Sequence, residues 1–445
     1  MEDLETEVNR KYEFLWCIMK LQPEGLSTGK KDDRLGGKRL TAILAVLCVA
    51  GLCISGCGSG KPTQSEAESK EENSGTMRTT AGTAASGAAS QTESSPSSQP
   101  TASPEKEAVT VYGEHTVPLG KLAGTVKIGG RTAADGDGLI FEWTASGFEL
   151  TGELEGDVKA AINFVQGDQS CFLRVQIDGR DIASPLKLDK GSKTYTLAAG
   201  LTKGKHTVKV SKMTEAFMNS ITIGDLSFTG KLEAVPAADR KIEFIGDSIT
   251  AGLDLLIEGA PEGDIGPYED GTRTYAALTA EALGADYHVF ACAGWGFLGG
   301  AGGAAQKIPN IYEQITFQRK SNLHWDFSTW QPDVVVVNLG TNDGGFMWQN
   351  KLTDLDFEKG MRDFIAQIRK KNPKAEIIWA YGMLGAGMKP LMLNAIEDMQ
   401  AADKKVHFVE LPNTVRPAGS HPGPEDSEAA SKVLLKAIKD ITGWT

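Results

Sequence analysis

Two hydrophobic rhythms divide the chain. Between Val109 and about Val235 apolar and polar residues alternate: Leu173, Val175 and Ile177 interleave with Arg174, Gln176 and Asp178. A period of two sends successive side chains to opposite faces of a strand. Val208 and Val210, Ile221 and Ile223, and Leu226 and Phe228 repeat the pattern, and Gly136-Asp137-Gly138, Asp178-Gly179 and Gly191-Ser192 supply turns between them. The spacing predicts antiparallel strands packed as a β-sandwich over residues 108–236, with Glu233-Ala234-Val235-Pro236-Ala237-Ala238 as the hinge that leaves it.

Beyond Arg240 short apolar runs are separated by amphipathic segments, which is how a parallel sheet covered on both faces is written. Five strands are predicted: Lys241–Ile245, Tyr287–Ala291, Asp333–Asn338, Glu376–Ala380 and Val406–Leu411. Helical spacing relates Phe357, Met361, Phe364, Ile365 and Ile368, and again Ala430, Val433, Leu434, Ala437, Ile438 and Ile441. A three-layer α/β domain over 237–445 follows. Open parallel sheets carry their sites in the loops beyond the carboxyl ends of the strands, so those loops are where chemistry is expected.

The first part of the chain has neither rhythm. Lys30 to Arg39 is basic overall, and Leu40 to Ile54 is apolar, short for a bilayer span, and runs into Ile54-Ser55-Gly56-Cys57. Residues 1–57 therefore read as an N-terminal extension and signal peptide. Small residues before a cysteine resemble the bacterial lipobox, which makes Cys57 the expected site of lipidation. The simpler alternatives are a secretory peptide cut near Gly56 or a membrane anchor. The residues before Lys30 lie far upstream for such a leader, which suggests a start codon further in. Residues 58–107, rich in Ser, Thr, Gly, Ala and Glu, cannot bury a core and read as a disordered tether. The expected location is the extracellular face of a bacterial membrane, lipid-anchored, or else secreted.

Composition narrows the partners. Over 445 residues the formal charge is −12, which offers no basic field to a polyanion, so nucleic acid is not an expected partner. Four of the six cysteines (Cys17, Cys48, Cys53, Cys57) precede the folded body, leaving Cys171 and Cys292, and that is no disulfide framework. No Cys-x-x-Cys or His-Glu-x-x-His occurs, so neither a metal nor a cofactor is expected.

Chemistry gathers at the strand ends. "FIGDSIT" closes the first strand, with Gly246 for the turn and Ser248 at a helix start; "ACAGWG" closes the second and brings the Gly294 N–H; "NLGTND" closes the third and brings the Asn342 amide. Singly these are an N-cap, a turn glycine and a turn asparagine; at three successive strand ends they converge. Of the six histidines, His115, His206, His288 and His407 fall in strand patterns, and His324 lies in a long loop. His421, in "AGSHPGPED" after the last strand, reaches the same sheet edge. Ser248 is the expected nucleophile and His421 its base, with the Ser248 and Gly294 N–H groups and the Asn342 amide as the oxyanion hole.

"GDSIT", "GWG", "GTND" and "HP" in this order resemble the four blocks of the SGNH (GDSL-like) hydrolases. "YAALTAEALGADYHVFACAGWG", "IPNIYEQ", "WQPDVVVVNLGTND" and the upstream "GRTAADGDGLIFEWTASGFEL" resemble carbohydrate esterase family 2 over roughly Val109 to Thr445. The resemblance implies a jelly-roll domain, then a flavodoxin-like SGNH domain, and O-deacetylation of polysaccharides such as xylan or glucomannan. One position departs. Most SGNH hydrolases carry Asp three residues before the histidine, where this chain has Ala418. Some family members are Ser-His dyads in which a backbone carbonyl receives the histidine Nδ1–H, so the gap does not imply an inactive protein; Glu425 and Asp426 are read as helix N-terminal charges, the alternative being that one of them folds back to the histidine. Trp295, Trp325, Trp330 and Trp348 lie in or beside the site loops; Trp295 and Trp348, adjoining oxyanion residues, are the expected platforms for a sugar ring. Competing readings are a lipase, thioesterase or acetyltransferase, and a degenerate glycan-binding lipoprotein whose main support is Ala418.

Overall fold

A computed structural model describes residues 109–259, 261, 263–319 and 323–445. The leader with Cys57 and the tether over 58–107 lie outside the described residues.

Ten strands make the first domain among the described residues: β1 (Gly113–Pro118), β2 (Lys127–Gly129), β3 (Ala133–Asp135), β4 (Gly138–Phe141), β5 (Gly147–Gly167), β6 (Cys171–Ile177), β7 (Arg180–Asp181), β8 (Leu186–Leu188), β9 (Gly191–Lys212) and β10 (Asn219–Glu233). All pairings are antiparallel, in the order β3-β4-β10-β5-β9-β6-β7, with β1 on β10, β2 on β5 and β8 on β6. Register shifts between Leu154 and Lys159 interrupt the long β5–β9 ladder, each adding the local bend of a bulge. The alternation read in the sequence is the burial pattern: Leu173, Val175, Val208, Val210, Ile221, Ile223 and Leu226 share one core with Leu150, Leu154 and Ile162.

The second domain is a five-stranded sheet, β11 (Lys241–Gly246), β12 (Asp286–Ala291), β13 (Val334–Asn338), β14 (Glu376–Gly382) and β15 (Val406–Leu411), every pair parallel, in the order β12-β11-β13-β14-β15. Its helices are α1 (Ser248–Ala251), α2 (Tyr275–Ala282), α3 (Ile308–Ile311), α4 (Thr341–Asn350), α5 (Asp354–Lys371), α6 (Lys389–Gln400) and α7 (Pro424–Thr442). Because strand side chains alternate, Ile245, Val335, Val337, Ile377 and Trp379 pack against α5 and α6, while Ile242, Phe244, Val334, Val336 and Ile378 pack against α2 and α7. The stripe predicted for α5 is buried throughout. On α7, Val433 departs from the prediction: it is 39% exposed, and Ala430, Leu434 and Ile438 alone make the buried stripe among the apolar positions. The chain order reverses at β11, which lies between β12 and β13, so the carboxyl end of β11 is the crevice such sheets offer to ligands.

The two domains are joined by buried polar contacts. Arg131 Nη2 of the first domain donates to Glu243 Oε1 of the second at 2.7 Å, and within the second domain Tyr312 Oη donates to Glu243 Oε2 at 2.7 Å. Trp143 Nε1 donates to the Ile315 carbonyl at 2.6 Å while its ring lies 4.1 Å from that of Phe290. Buried charge is tolerated here because it is paired and hydrogen-bonded.

Candidate active site

At the end of β11 the backbone passes so close to α1 that a Cβ on Gly246 would overlap Thr250 Oγ1. This close approach, rather than a positive φ, is what requires glycine before Asp247. Asp247 caps α1, its Oδ1 accepting from the Ile249 N–H at 3.0 Å, and Ser248 is the first helical residue. Gly252, with φ of 89°, ends α1 after one turn. Asp254 follows with φ of 54°.

His421 arrives on the segment between the edge strand β15 and α7, a helix that packs in the same core as α1. Its Nε2 lies 3.0 Å from Ser248 Oγ. The segment is held at both ends. Asp426 on α7 accepts from the Thr414 hydroxyl at 2.6 Å, the Val415 N–H at 2.9 Å and the Gly423 N–H at 2.8 Å. Arg416 donates to the carbonyls of Asp254 (3.1 Å), Leu255 (2.9 Å), Ile257 (2.6 Å) and His421 (3.4 Å), tying the loop after α1 to the histidine loop.

In place of a dyad's backbone carbonyl, His421 Nδ1 meets a carboxylate: Asp254 Oδ2 lies 3.2 Å from Nδ1, with the two side chains 10% and 24% exposed. Asp426 is spent on capping. Glu425, 59% exposed, faces Arg416 at 3.7 Å.

Gly294, in the loop after β12, has φ of 77°, a conformation that favours glycine. Its carbonyl accepts from Ala301 N–H at 2.8 Å, and the preceding Ala293 N–H donates to Glu215 Oε2 of the first domain at 2.7 Å. Asn342, the second residue of α4, points its Nδ2 at the Trp295 carbonyl (3.0 Å) and at Asp247 Oδ2 (3.2 Å). Ser248, Gly294, Asn342 and His421 thus meet at one sheet edge.

The acids around the site are shifted by burial. Asp247 is pushed up to about 7, against the opposing pull of the Ile249 N–H, His421 and the Asn342 amide. Burial likewise raises Asp343 to about 7, and Glu215 to about 7 despite the Ala293 N–H and Lys212. Among the described residues no three His, Cys, Asp or Glu side chains are disposed to hold a metal ion.

The tryptophans separate. Trp295 is half-buried, its ring edge-on to Phe317 at 5.4 Å. Trp348 is 41% exposed but six residues beyond Asn342 on α4, about 9 Å along the axis and on another face, so it does not adjoin the amide as its sequence position suggested. Trp330 stacks on His288 at 3.7 Å, and Trp325 meets the same imidazole edge-on at 5.6 Å. His324 is bridged to Gln314. Sequence reasoning missed Asp254, Arg416 and Glu215. Asp254 lies just past a one-turn helix in "GDSITAGLD", and nothing in the spacing of that stretch marks the turn that returns it toward the serine.

Residues 244–432 match the GDSL-like Lipase/Acylhydrolase family, and residues 128–237 match the Carbohydrate esterase 2 N-terminal family. The cellulase/esterase CelE of Acetivibrio thermocellus is 30% identical over 324 residues, which is 70% of this chain and 39% of that protein. An acetylxylan esterase / glucomannan deacetylase of Cellvibrio japonicus is 23% identical over 335 residues, 72% of this chain and 89% of the relative. An acetyl xylan esterase from the rumen bacterium Butyrivibrio proteoclasticus superposes with a TM-score of 0.69 at 26% identity, over 75% of this chain and 99% of the other. A family two carbohydrate esterase from Clostridium thermocellum, solved in complex with cellohexaose, gives 0.66 at 27% identity, over 72% of this chain and 100% of the other. The chain therefore spans well under half of CelE but nearly the whole of both esterase structures.

Proposed function

We propose that this chain, a carbohydrate esterase 2 N-terminal domain followed by a GDSL-like lipase/acylhydrolase domain, is a serine esterase that removes O-acetyl groups from polysaccharide sugars, with xylan and glucomannan the substrate class. The observation that carries the reading is the 3.0 Å approach of His421 Nε2 to Ser248 Oγ at the edge where Gly294 and Asn342 converge. Ser248 Oγ attacks the acetyl carbonyl carbon as its proton passes to His421 Nε2. Charge that develops on the carbonyl oxygen is held by the N–H groups of Ser248 and Gly294 and by Asn342 Nδ2, which gives up its longer contact to Asp247. Collapse breaks the ester C–O bond, and His421 returns the proton to the departing sugar hydroxyl. Water, deprotonated by the same imidazole, then releases acetate from acetyl-Ser248 and restores the hydroxyl.

The intact serine–histidine pair weighs against a degenerate glycan-binding protein. Trp295, beside the site, is the better placed of the two predicted platforms. The N-terminal domain is read as a jelly roll, which is supported by long antiparallel strands closing over a single core. Lipidation at Cys57, with 58–107 as tether, would hold the enzyme on the outer face of the membrane. Cys57→Ala should then move it to the soluble fraction at unchanged specific activity, and a variant still bound to membranes would overturn the anchor.

The decisive assay is acetate release from p-nitrophenyl acetate, then from acetylated xylan and glucomannan. Ser248→Ala should abolish turnover in a chain that melts like the parent; turnover that survives would sink the mechanism.

A further inference from the structure

We infer that Asp254 is the residue that positions His421: it receives the Nδ1–H, fixes the tautomer in which Nε2 faces Ser248, and stabilises the imidazolium that forms when the serine proton is taken. The inference rests on the esterase reading above and adds a residue that reading does not require. It moves the acidic role from the third residue before the histidine, where Ala418 stands, to the loop that follows the nucleophile helix.

Four observations converge on it. Asp254 Oδ2 lies 3.2 Å from Nδ1 while Nε2 lies 3.0 Å from Ser248 Oγ, so one imidazole spans the two groups. The carboxylate is buried, and its Oδ1 has no hydrogen-bond partner in the structure. An acid taken out of water with so little compensation is costly, and the contact with His421 is the one that offsets it. The backbone at Asp254 is left-handed, φ 54°, a conformation uncommon for a residue with a side chain. Such a conformation persists where the surroundings enforce it, and it concentrates at functional sites. Here the enforcement is visible: Arg416 donates to the Asp254, Leu255 and Ile257 carbonyls and to that of His421. One guanidinium thereby fixes the acid and the base it would orient. The neighbouring acids are otherwise engaged, Asp426 in capping and Glu425 with Arg416.

The test compares the full chain with Asp254→Asn, His421→Ala and Ser248→Ala. Asparagine keeps the shape but stabilises the wrong tautomer, and the equivalent change in a serine protease costs about 10⁴-fold in kcat. Asp254→Asn should lower kcat on an aryl acetate by roughly 10³-fold or more with KM within about threefold of the parent, because the substrate does not touch Asp254. Proton NMR supplies a readout that a merely structural role would not move. The parent should show a far-downfield imidazole N–H resonance that His421→Ala and Asp254→Asn both remove. A folded Asp254→Asn that keeps kcat within about threefold, or whose downfield resonance persists, overturns the inference. Should Asp254→Asn fail to fold, the parent decides: a spectrum with no downfield resonance sensitive to His421→Ala overturns it equally. If instead the parent releases no acetate from any ester, the esterase reading fails, while the resonance still reports whether the Asp254–His421 pair exists.

Discussion

At the scale of single residues, the proposed oxyanion donor Asn342 carries a second, longer contact that a developing oxyanion would displace. Its amide bonds the Trp295 carbonyl at 3.0 Å and Asp247 at 3.2 Å, so the proton nearer Asp247 is the one available to a carbonyl oxygen that acquires charge. Asn342→Ala removes that donor, and kcat should fall by roughly 10²-fold or more with little change in KM. Steady-state kinetics on p-nitrophenyl acetate separates this from a binding role, which would appear in KM. Ser248, Gly294, Asn342 and His421 were legible in the sequence because each follows a strand, and the ends of parallel strands share one edge. Asp254 was not. The sequence rule for the acid looks just before the histidine, and the chain instead supplies it six residues after the serine, through a turn set by Gly252 and a left-handed aspartate. Hydrophobic periodicity carries no information about a one-turn helix.

At the scale of elements, the stretch from β15 to α7 has little regular structure, yet it must hold an imidazole to within a fraction of an ångström. It does so through side chains. Asp426 gathers Thr414, Val415 and Gly423, and the Arg416 guanidinium lies against Gly423 so closely that a Cβ there would overlap it. Gly423 has φ of −90°, so its backbone would accept alanine, and the requirement comes from Arg416 alone. Gly423→Ala should push the guanidinium off its four partly buried carbonyls, and a buried carbonyl that loses its donor costs up to about 1–3 kcal/mol, less where water can reach it. We expect a Tm lower by several degrees and a fall in kcat, checked by calorimetry and kinetics on the same preparation. Arg416→Met should reproduce both losses; an unchanged melting curve in both variants would remove the bracing role. The five strands and the α5 stripe were readable because burial on two faces writes continuous apolar runs. The bracing was not, because Arg416 reads as an ordinary surface cation until the loop it crosses is in place.

At the scale of the whole molecule, the first domain is part of the second domain's site. Glu215 leaves β9 and accepts the Ala293 N–H beside Gly294, and its own N–H donates to Glu269 at 3.1 Å. The cost is a group of acids sealed away from water, with Asp247, Asp343 and Glu215 each raised to about 7 by burial. In the unfolded chain carboxyls ionise near 4. Between about pH 4 and 7 the folded protein therefore holds protons that the unfolded chain has released, and stability falls as pH rises through that window. Burial raises Glu269 and Asp270 as well; His288 and Lys212, both lowered by burial, work the other way, but two bases stand against five acids. His206, raised by its hydrogen bond to Asp178, adds to the stability at low pH. The melting temperature should thus be higher at pH 5 than at pH 8, at roughly 2–4 °C per kcal/mol for domains of this size. Glu215→Gln keeps an oxygen for the Ala293 N–H and removes one titration, so it should narrow the difference between the two pH values and leave kcat near the parent. Glu215→Ala removes the acceptor as well, and kcat should fall with KM held, because the loop that presents the Gly294 N–H loses its backing. Thermal melts at both pH values and kinetics at pH 8 decide the point. A parent that melts higher at pH 8, or a Glu215→Ala variant as active as Glu215→Gln, would separate the first domain from the chemistry of the second.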